Sequence, residues 1–232
     1  MKITLISDTH TKHKQLDSYL PGGDILIHAG DFMNSGYDED DVYDFLSWFD
    51  GIKGYDKKVF IAGNHDRYFQ NHPDKVMAIL MEEYPNLIYL QDNKFGLYDL
   101  DTDKSTNFYG SPWQPYFHNW AFNLPRNGAE LEEKWAMIPP DTDILITHGP
   151  SWGYVDQVKG RSEHLGCELL TAYIDNIKPK IHVCGHIHSG YGYAYDGITH
   201  YFNASVLNER YNFENKPFNI EWDKETNEVI FA

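Results

Sequence analysis

Five short apolar runs punctuate this chain, and each stops abruptly at a block of Gly, Asp, Asn or His. The runs are Ile3 to Ile6, Ile25 to Ala29, Val59 to Ala62, Ile144 to Thr147 and Ile181 to Cys184. Periodicity alone does not separate such runs from buried helix. Their brevity, their Ile and Val content and their sharp ends read as buried strands.

Between them lie helical patterns. Val42, Phe45, Leu46 and Phe49 follow i, i+3, i+4, i+7 spacing, and the acidic run Asp38 to Asp41 suits the start of that helix. Met77, Leu80, Met81 and Tyr84 repeat the spacing, with Pro73 placed for a first turn. Leu170, Tyr173, Ile174 and Ile177 repeat it again before Pro179. Strands alternating with helices predict a layered α/β domain. Residues 91–128 carry Gly, Pro, Asn and aromatics, and are expected to form further strands and a long structured loop. The end of the chain alternates (Tyr191, Tyr193, Tyr195; then Phe218, Ile220, Trp222), which predicts antiparallel hairpins. With no repeat and no linker, residues 1–232 read as one domain.

The bulk properties bound the function. Nineteen basic against 35 acidic residues leave a net charge of −16, which argues against long nucleic acid and anionic membrane as partners. A phosphate substrate stays open, because divalent cations in one cleft reverse the local field. Two cysteines, Cys167 and Cys184, do not suggest a disulfide framework or zinc-finger spacing. The first residues turn polar at Ser7-Asp8, too soon for a signal peptide, and no apolar run approaches a membrane span. The expectation is a cytoplasmic protein.

The chemistry sits where the runs end. In order come Asp8-Thr9-His10, Gly30-Asp31, Gly63-Asn64-His65-Asp66, His148-Gly149 and Gly185-His186-Ile187-His188. Ligands in layered α/β folds bind beyond the carboxyl ends of strands, so these blocks can converge on one cleft. Imidazole with carboxylate suits zinc, manganese or iron, and an amide oxygen can complete a shell. Taken singly, His-x-His is an ordinary strand feature and Gly-Asn-His an ordinary turn. Five such blocks, each directly after an apolar run, are hard to produce by turn chemistry.

At these blocks the chain resembles the calcineurin-like metallophosphoesterase superfamily. Tyr109-Gly110-Ser111-Pro112-Trp113, Asn119 to Arg126, Thr147-His148-Gly149-Pro150 and Asn203-Ala204-Ser205 look like its metallophosphoesterase-domain (MPPED, 239FB-like) branch. The resemblance implies two packed mixed β-sheets flanked by helices, with two divalent metal ions (Mn, Fe, Zn or similar) at their rim. It implies that Asp8, His10, Asp31 and His188 hold one ion, and that Asp31, Asn64, His148 and His186 hold the other. His65 would be the general acid, oriented by a hydrogen bond that Asp66 accepts. A hydroxide shared by the metals would attack phosphorus. Mammalian members of that branch carry glycine for one terminal metal histidine, whereas His186 and His188 are both present here.

The branch is similar to phosphodiesterases of cyclic nucleotides, so a small phosphoester, such as a cyclic nucleotide, is the expected partner. Phosphomonoesterase or protein phosphatase activity, and a weakly catalytic metal-binding scaffold, are the alternatives. Asn64, Arg67, Trp113 and His118 are candidate substrate contacts; for most aromatics near Trp113, packing of the loop onto the core is the expectation. His28 and His182, inside strands, read as core or supporting histidines.

Overall fold

The structure is a computed structural model and describes residues 1–100 and 103–232. The first part of the chain forms β1 (Lys2–Ile6), β2 (Gly23–His28), α1 (Glu39–Gly51), β3 (Tyr55–Phe60), α2 (Arg67–Asn71), α3 (Pro73–Glu83) and β4 (Leu87–Tyr89). The middle adds β5 (Asn93–Asp99), β6 (Lys104–Ser111), β7 (Gln114–Pro115), β8 (Asn123–Leu124), α4 (Ala129–Ala136) and β9 (Ile144–Thr147). The end supplies α5 (Glu168–Ile177), β10 (Ile181–Cys184), β11 (Gly192–Tyr195), β12 (His200–Asn203), β13 (Phe218–Asp223) and β14 (Glu228–Phe231).

These strands build two mixed six-stranded sheets, ordered β14-β13-β1-β2-β3-β4 and β11-β12-β10-β9-β6-β5. Four consecutive strands of each are parallel: β1 to β4 in the first, β6, β9, β10 and β12 in the second. Ile3, Leu5, Ile25 and Ile27 of the first sheet meet Ile144, Ile146, Ile181 and Val183 of the second in a buried layer. Alternate residues point the other way, so Leu26 and Phe60 pack with Phe45 and Phe49 of α1. On the far side, Leu145 and Tyr201 pack with Leu131, Trp135, Leu170 and Ile174 of α4 and α5. Because both faces of the parallel strands are covered, their sequences are continuously apolar rather than alternating. The predicted α/β layering with two mixed sheets is what the chain adopts.

Helix α1 buries Val42, Phe45, Leu46 and Phe49 as predicted, and Asp38 caps it by accepting from the Asp40 amide at 3.0 Å. Helix α3 is turned relative to expectation. It buries Val76, Ile79 and Leu80, leaving Met77 45% and Met81 71% exposed. Two overlapping apolar stripes fit this segment, and the β-branched side chains, stiff and compact, take the inner face over the methionines. Helix α4 leaves little periodic signal in the sequence, since only Leu131 and Trp135 are buried in an otherwise polar turn pair. The expected hairpins form, β11 with β12 and β13 with β14, and β13 also pairs β1 across the chain, with Ile220 opposite Ile3. Among the described residues no helix is long and apolar enough to cross a membrane.

Strands β1, β2 and β3 of one sheet and β9 and β10 of the other end along a shared rim. There the sheets touch, with Ser7 bridging Ser205 and the His148 ring reaching the Ala29 carbonyl.

Candidate metal centre

All five sequence blocks meet at that rim. Asp8 and His10 follow β1, Asp31 follows β2, Asn64 follows β3, His148 follows β9, and His186 and His188 follow β10. The chain leaves its strands sharply. Asp8, His10, Asp31 and His186 have φ of 55°, 39°, 58° and 66°, a left-handed conformation that non-glycine residues rarely adopt. Each such residue costs roughly 1–3 kcal/mol and persists where surrounding bonds over-determine it. The Asp8 amide donates to the Gly30 carbonyl at 2.9 Å and the His10 amide to that of Asp31 at 3.0 Å. Close approach also demands glycine: a Cβ at Gly63 would lie 2.4 Å from Asp31 Oδ1, and one at Gly185 2.1 Å from Asp8 Oδ2.

The side chains form two adjoining trios, Asp8-His10-His188 and Asp31-His148-His186, each with ligand atoms within 4.8 Å of one another. A third trio, His10-Asp31-His65, overlaps the first two. Asp31 Oδ2 lies 3.8 Å from His10 Nε2 and 3.3 Å from His148 Nε2, so one carboxylate faces both groups.

The imidazole tautomers are set from outside. Nδ1 of His10, His148 and His188 lies 3.0, 2.9 and 2.9 Å from the carbonyls of Met33, Ala29 and Asn208. A carbonyl can only accept, so each Nδ1 carries a hydrogen and, in the neutral ring, each Nε2 turns a lone pair inward. His10 Nε2 then sits 3.2 Å from His188 Nε2, and His148 Nε2 3.0 Å from Asn64 Oδ1. Acceptors this close repel unless positive charge lies among them, so the residues fit divalent cations.

Electrostatics agree for the two carboxylates and for His10 and His186. Burial would raise Asp8 and Asp31, yet the surrounding imidazoles hold both well below the usual carboxylate range. Burial pulls His148 down, but Asp31 and Asp8 outweigh it and lift it to about 9. Burial lowers His10 to about 4 against the pull of Asp31 and Asp8, and lowers His186 to about 3 with help from His148. Ionised carboxylate and neutral imidazole are the forms that bind metal. His10 and His186 hold the neutral form, whereas His148, and His188 where Asp8 outweighs burial, favour a proton that a bound cation would displace.

Asn64 is oriented by a relay that the sequence did not announce. The Asn123 amide donates to the carbonyls of Phe117 and His118, both at 3.1 Å, which fixes Asn123 Oδ1 as an acceptor. Gln114 Nε2 therefore donates to it, and to Asn64 Oδ1, each at 3.2 Å. Asn64 Oδ1 is thereby turned toward His148. Ser205 plays a comparable part for Asp8, donating to Oδ2 at 2.9 Å.

Several expectations need correction. Asp66 does not orient His65 by a side-chain hydrogen bond. Its carboxylate accepts from the amides of Asp31, Met33 and Gly63 at 2.9, 2.8 and 2.7 Å, knitting the β2 and β3 ends together. The His65 ring instead pairs through Nδ1 with the Asn34 carbonyl and stacks on Trp120 at 4.0 Å. The carboxylate is consumed by nearby backbone donors before it can reach the ring. Trp113 is turned into the protein, its indole N–H donating to Asp92 at 2.8 Å with the Lys134 ammonium over its ring. Arg67 donates to the Asn119 carbonyl and lies over Tyr37, and His118 packs on Phe117. Of the four candidate substrate contacts, Asn64 is the one that lines the cleft beside the trios. That cleft, about 390 Å³, is walled by Tyr116, Phe117, Pro150, Leu165 and Tyr211.

His28 and His182 are braces. The Gly30 amide donates to His28 Nδ1 at 3.2 Å, so Nε2–H reaches Thr9 at 3.0 Å and ties two ligand loops to the core. His182 Nε2 lies 2.8 Å from Thr147, and burial lowers both rings to about 3.

A His, Asp and Asn set at the strand ends of two packed mixed sheets defines a metallophosphoesterase. Residues 1–190 match the calcineurin-like phosphoesterases, and the chain belongs to that family. It is 40% identical over 240 residues to Metallophosphoesterase domain-containing protein 1 of Homo sapiens, spanning 95% of this chain and 70% of that protein. It is 35% identical over 243 residues to UPF0046 protein T07D4.2 of Caenorhabditis elegans, spanning 94% of this chain and 59% of that one. Among solved structures, TT1561 of Thermus thermophilus covers 100% of this chain and 97% of its own, with a TM-score of 0.66 at 14% identity, a likeness of fold.

Proposed function

We propose that residues 1–232 act as a binuclear metal-dependent phosphodiesterase on small nucleotides, cyclic nucleotides among them. The observation that carries this is Asp31, one carboxylate facing two sets of inward-turned imidazole nitrogens. Asp8, His10, Asp31 and His188 would hold one ion, and Asp31, Asn64, His148 and His186 the other. When bound, divalent ions supply Lewis acidity at the phosphoryl oxygens and ready ionisation of water at neutral pH.

The chain's own residues do the rest. His65, its Nδ1–H held by the Asn34 carbonyl and its ring stacked on Trp120, would act as the imidazolium, passing a second proton from Nε2 to the departing alkoxide. Tyr116 and Phe117 offer aromatic faces to a nucleobase. A cleft of about 390 Å³ suits a mononucleotide rather than a polymer. Buried, unpaired Cys167 and Cys184 support a reducing, cytoplasmic setting.

Turnover of bis-p-nitrophenyl phosphate, p-nitrophenyl phosphate and 2′,3′- and 3′,5′-cyclic nucleotides with Mn²⁺ supplied tests the reading. Diesters are expected to exceed the monoester in kcat/KM. Faster turnover of the monoester would make the protein a phosphomonoesterase, and no turnover with two metals bound would favour a scaffold. His65→Ala is expected to lower kcat about 10²–10⁴-fold on a poor leaving group with metal content unchanged. Near-normal kcat would remove His65 from the acid role.

A further inference from the structure

Tyr211 stands out among the residues so far given no role. Its ring packs edge-on against two candidate ligands, His10 at 4.7 Å and His188 at 5.3 Å, and lies 6.3 Å from His65. It lines the cleft and remains 37% exposed, so it is neither sunk in the core nor loose on the surface. Its φ is 58°, and a bulky aromatic in that region is strained.

A tight turn enforces the strain. Asn208 Oδ1 accepts from the Arg210 and Asn212 amides at 2.9 and 3.0 Å, and the Asn208 carbonyl accepts from the Tyr211 amide at 2.8 Å. The same carbonyl pairs with His188 Nδ1 at 2.9 Å, and the Lys12 ammonium donates to the Tyr211 carbonyl. One short turn thus orients a candidate ligand and presents a phenol over the cluster. An aromatic serving only as packing gains nothing from a left-handed backbone that leaves it part-exposed at a cleft. A neutral O–H also suits this place. It can bond a phosphoryl oxygen without adding a positive charge that would compete with cations for Asp8 and Asp31.

We propose that Tyr211 is a substrate-binding residue whose phenolic O–H donates a hydrogen bond to a phosphoryl oxygen of the ester held over the histidine cluster. This rests on the phosphoesterase reading above. The test compares wild type with Tyr211→Phe, which keeps the half-exposed ring and its packing. Three quantities are read with Mn²⁺ present: metal affinity, kcat/KM on bis-p-nitrophenyl phosphate, and inhibition or direct binding of inorganic phosphate.

The expected result is unchanged metal affinity, kcat/KM lower by about 10–100-fold, and phosphate binding weaker by about tenfold. Tyr211→Ala is expected to weaken metal binding as well, because the packing on His10 and His188 goes with the ring. Wild-type kcat/KM and wild-type phosphate affinity in Tyr211→Phe would overturn the proposal. If the wild type, fully metal-loaded, turns over no ester, the functional reading fails. Phosphate binding then still decides Tyr211, and equal affinity in both proteins would sink it.

Discussion

The cradle of the site and its wall are built on opposite principles. In the cradle, Asp8 and His148 are fully buried, and His10 and Asp31 are 2% exposed. Each His10, His148 and His188 ring is pinned at Nδ1 by a backbone carbonyl. In the wall, Tyr116 is 64% exposed, Phe117 47% and Leu165 39%, on loops beyond the strands. Side chains held in one rotamer by two sheets can meet a metal within a fraction of an ångström. Side chains on exposed loops can change identity without disturbing that geometry. On the proposed function, chemistry and selectivity would be carried by different parts of the chain, joined at Gln114 and Trp120.

The sharpest way to break this contrast is Asp31→Asn. If one carboxylate serves both trios, loss of its charge is expected to reduce bound metal below two per chain and activity by at least about 10³-fold. Two metals and full activity, by elemental analysis and turnover, would end the bridging role. Gln114→Met cuts the relay between wall and cradle. It is expected to weaken one of two metal-binding steps about 10–100-fold in titration calorimetry, leaving the other alone. Equal effects on both steps would mean general loosening.

Acid sharpens the contrast from the cradle side. His182, lowered to about 3 by burial, stays neutral when folded but protonates near 6.5 when unfolded. Its contribution is therefore intact above pH 6.5 and lost progressively as pH falls toward 3. At pH 5 the loss is on the order of 2 kcal/mol. Denaturant melts from pH 7 to 4 should show a shallower decline in His182→Leu than in wild type, and parallel curves would refute the assignment. The smallest effect belongs to the wall. Phe117→Ala is expected to shift relative KM among nucleotides by less than about tenfold, with metal content untouched. A loss of metal would place Phe117, which packs on His186 at 5.0 Å, in the cradle instead.

Legibility in the sequence followed the same division. The strand runs and the blocks after them were readable because burial on both faces forces continuous Ile and Val, and sharp exits force Gly, Asp and His into fixed order. The α3 face is ambiguous in the sequence because Val76 and Met77 stand one position apart on overlapping stripes. Trp113, Arg67 and His118 were plausible by proximity in sequence to the blocks. Whether a loop side chain turns inward or outward depends on partners far along the chain, such as Lys134 for Trp113.

By itself the sequence determined the layered fold, the order of the strand-end blocks and the residue types able to meet at their rim. Those follow from local periodicity and from side-chain chemistry. Only the tertiary structure decided which nitrogen of His10, His148 and His188 faces inward, that Asp66 bonds to backbone rather than to His65, and that Gln114, Ser205 and Tyr211 lie at the site. Each of those depends on a hydrogen bond or ring contact between segments distant in sequence. A one-dimensional pattern carries no term for such a meeting.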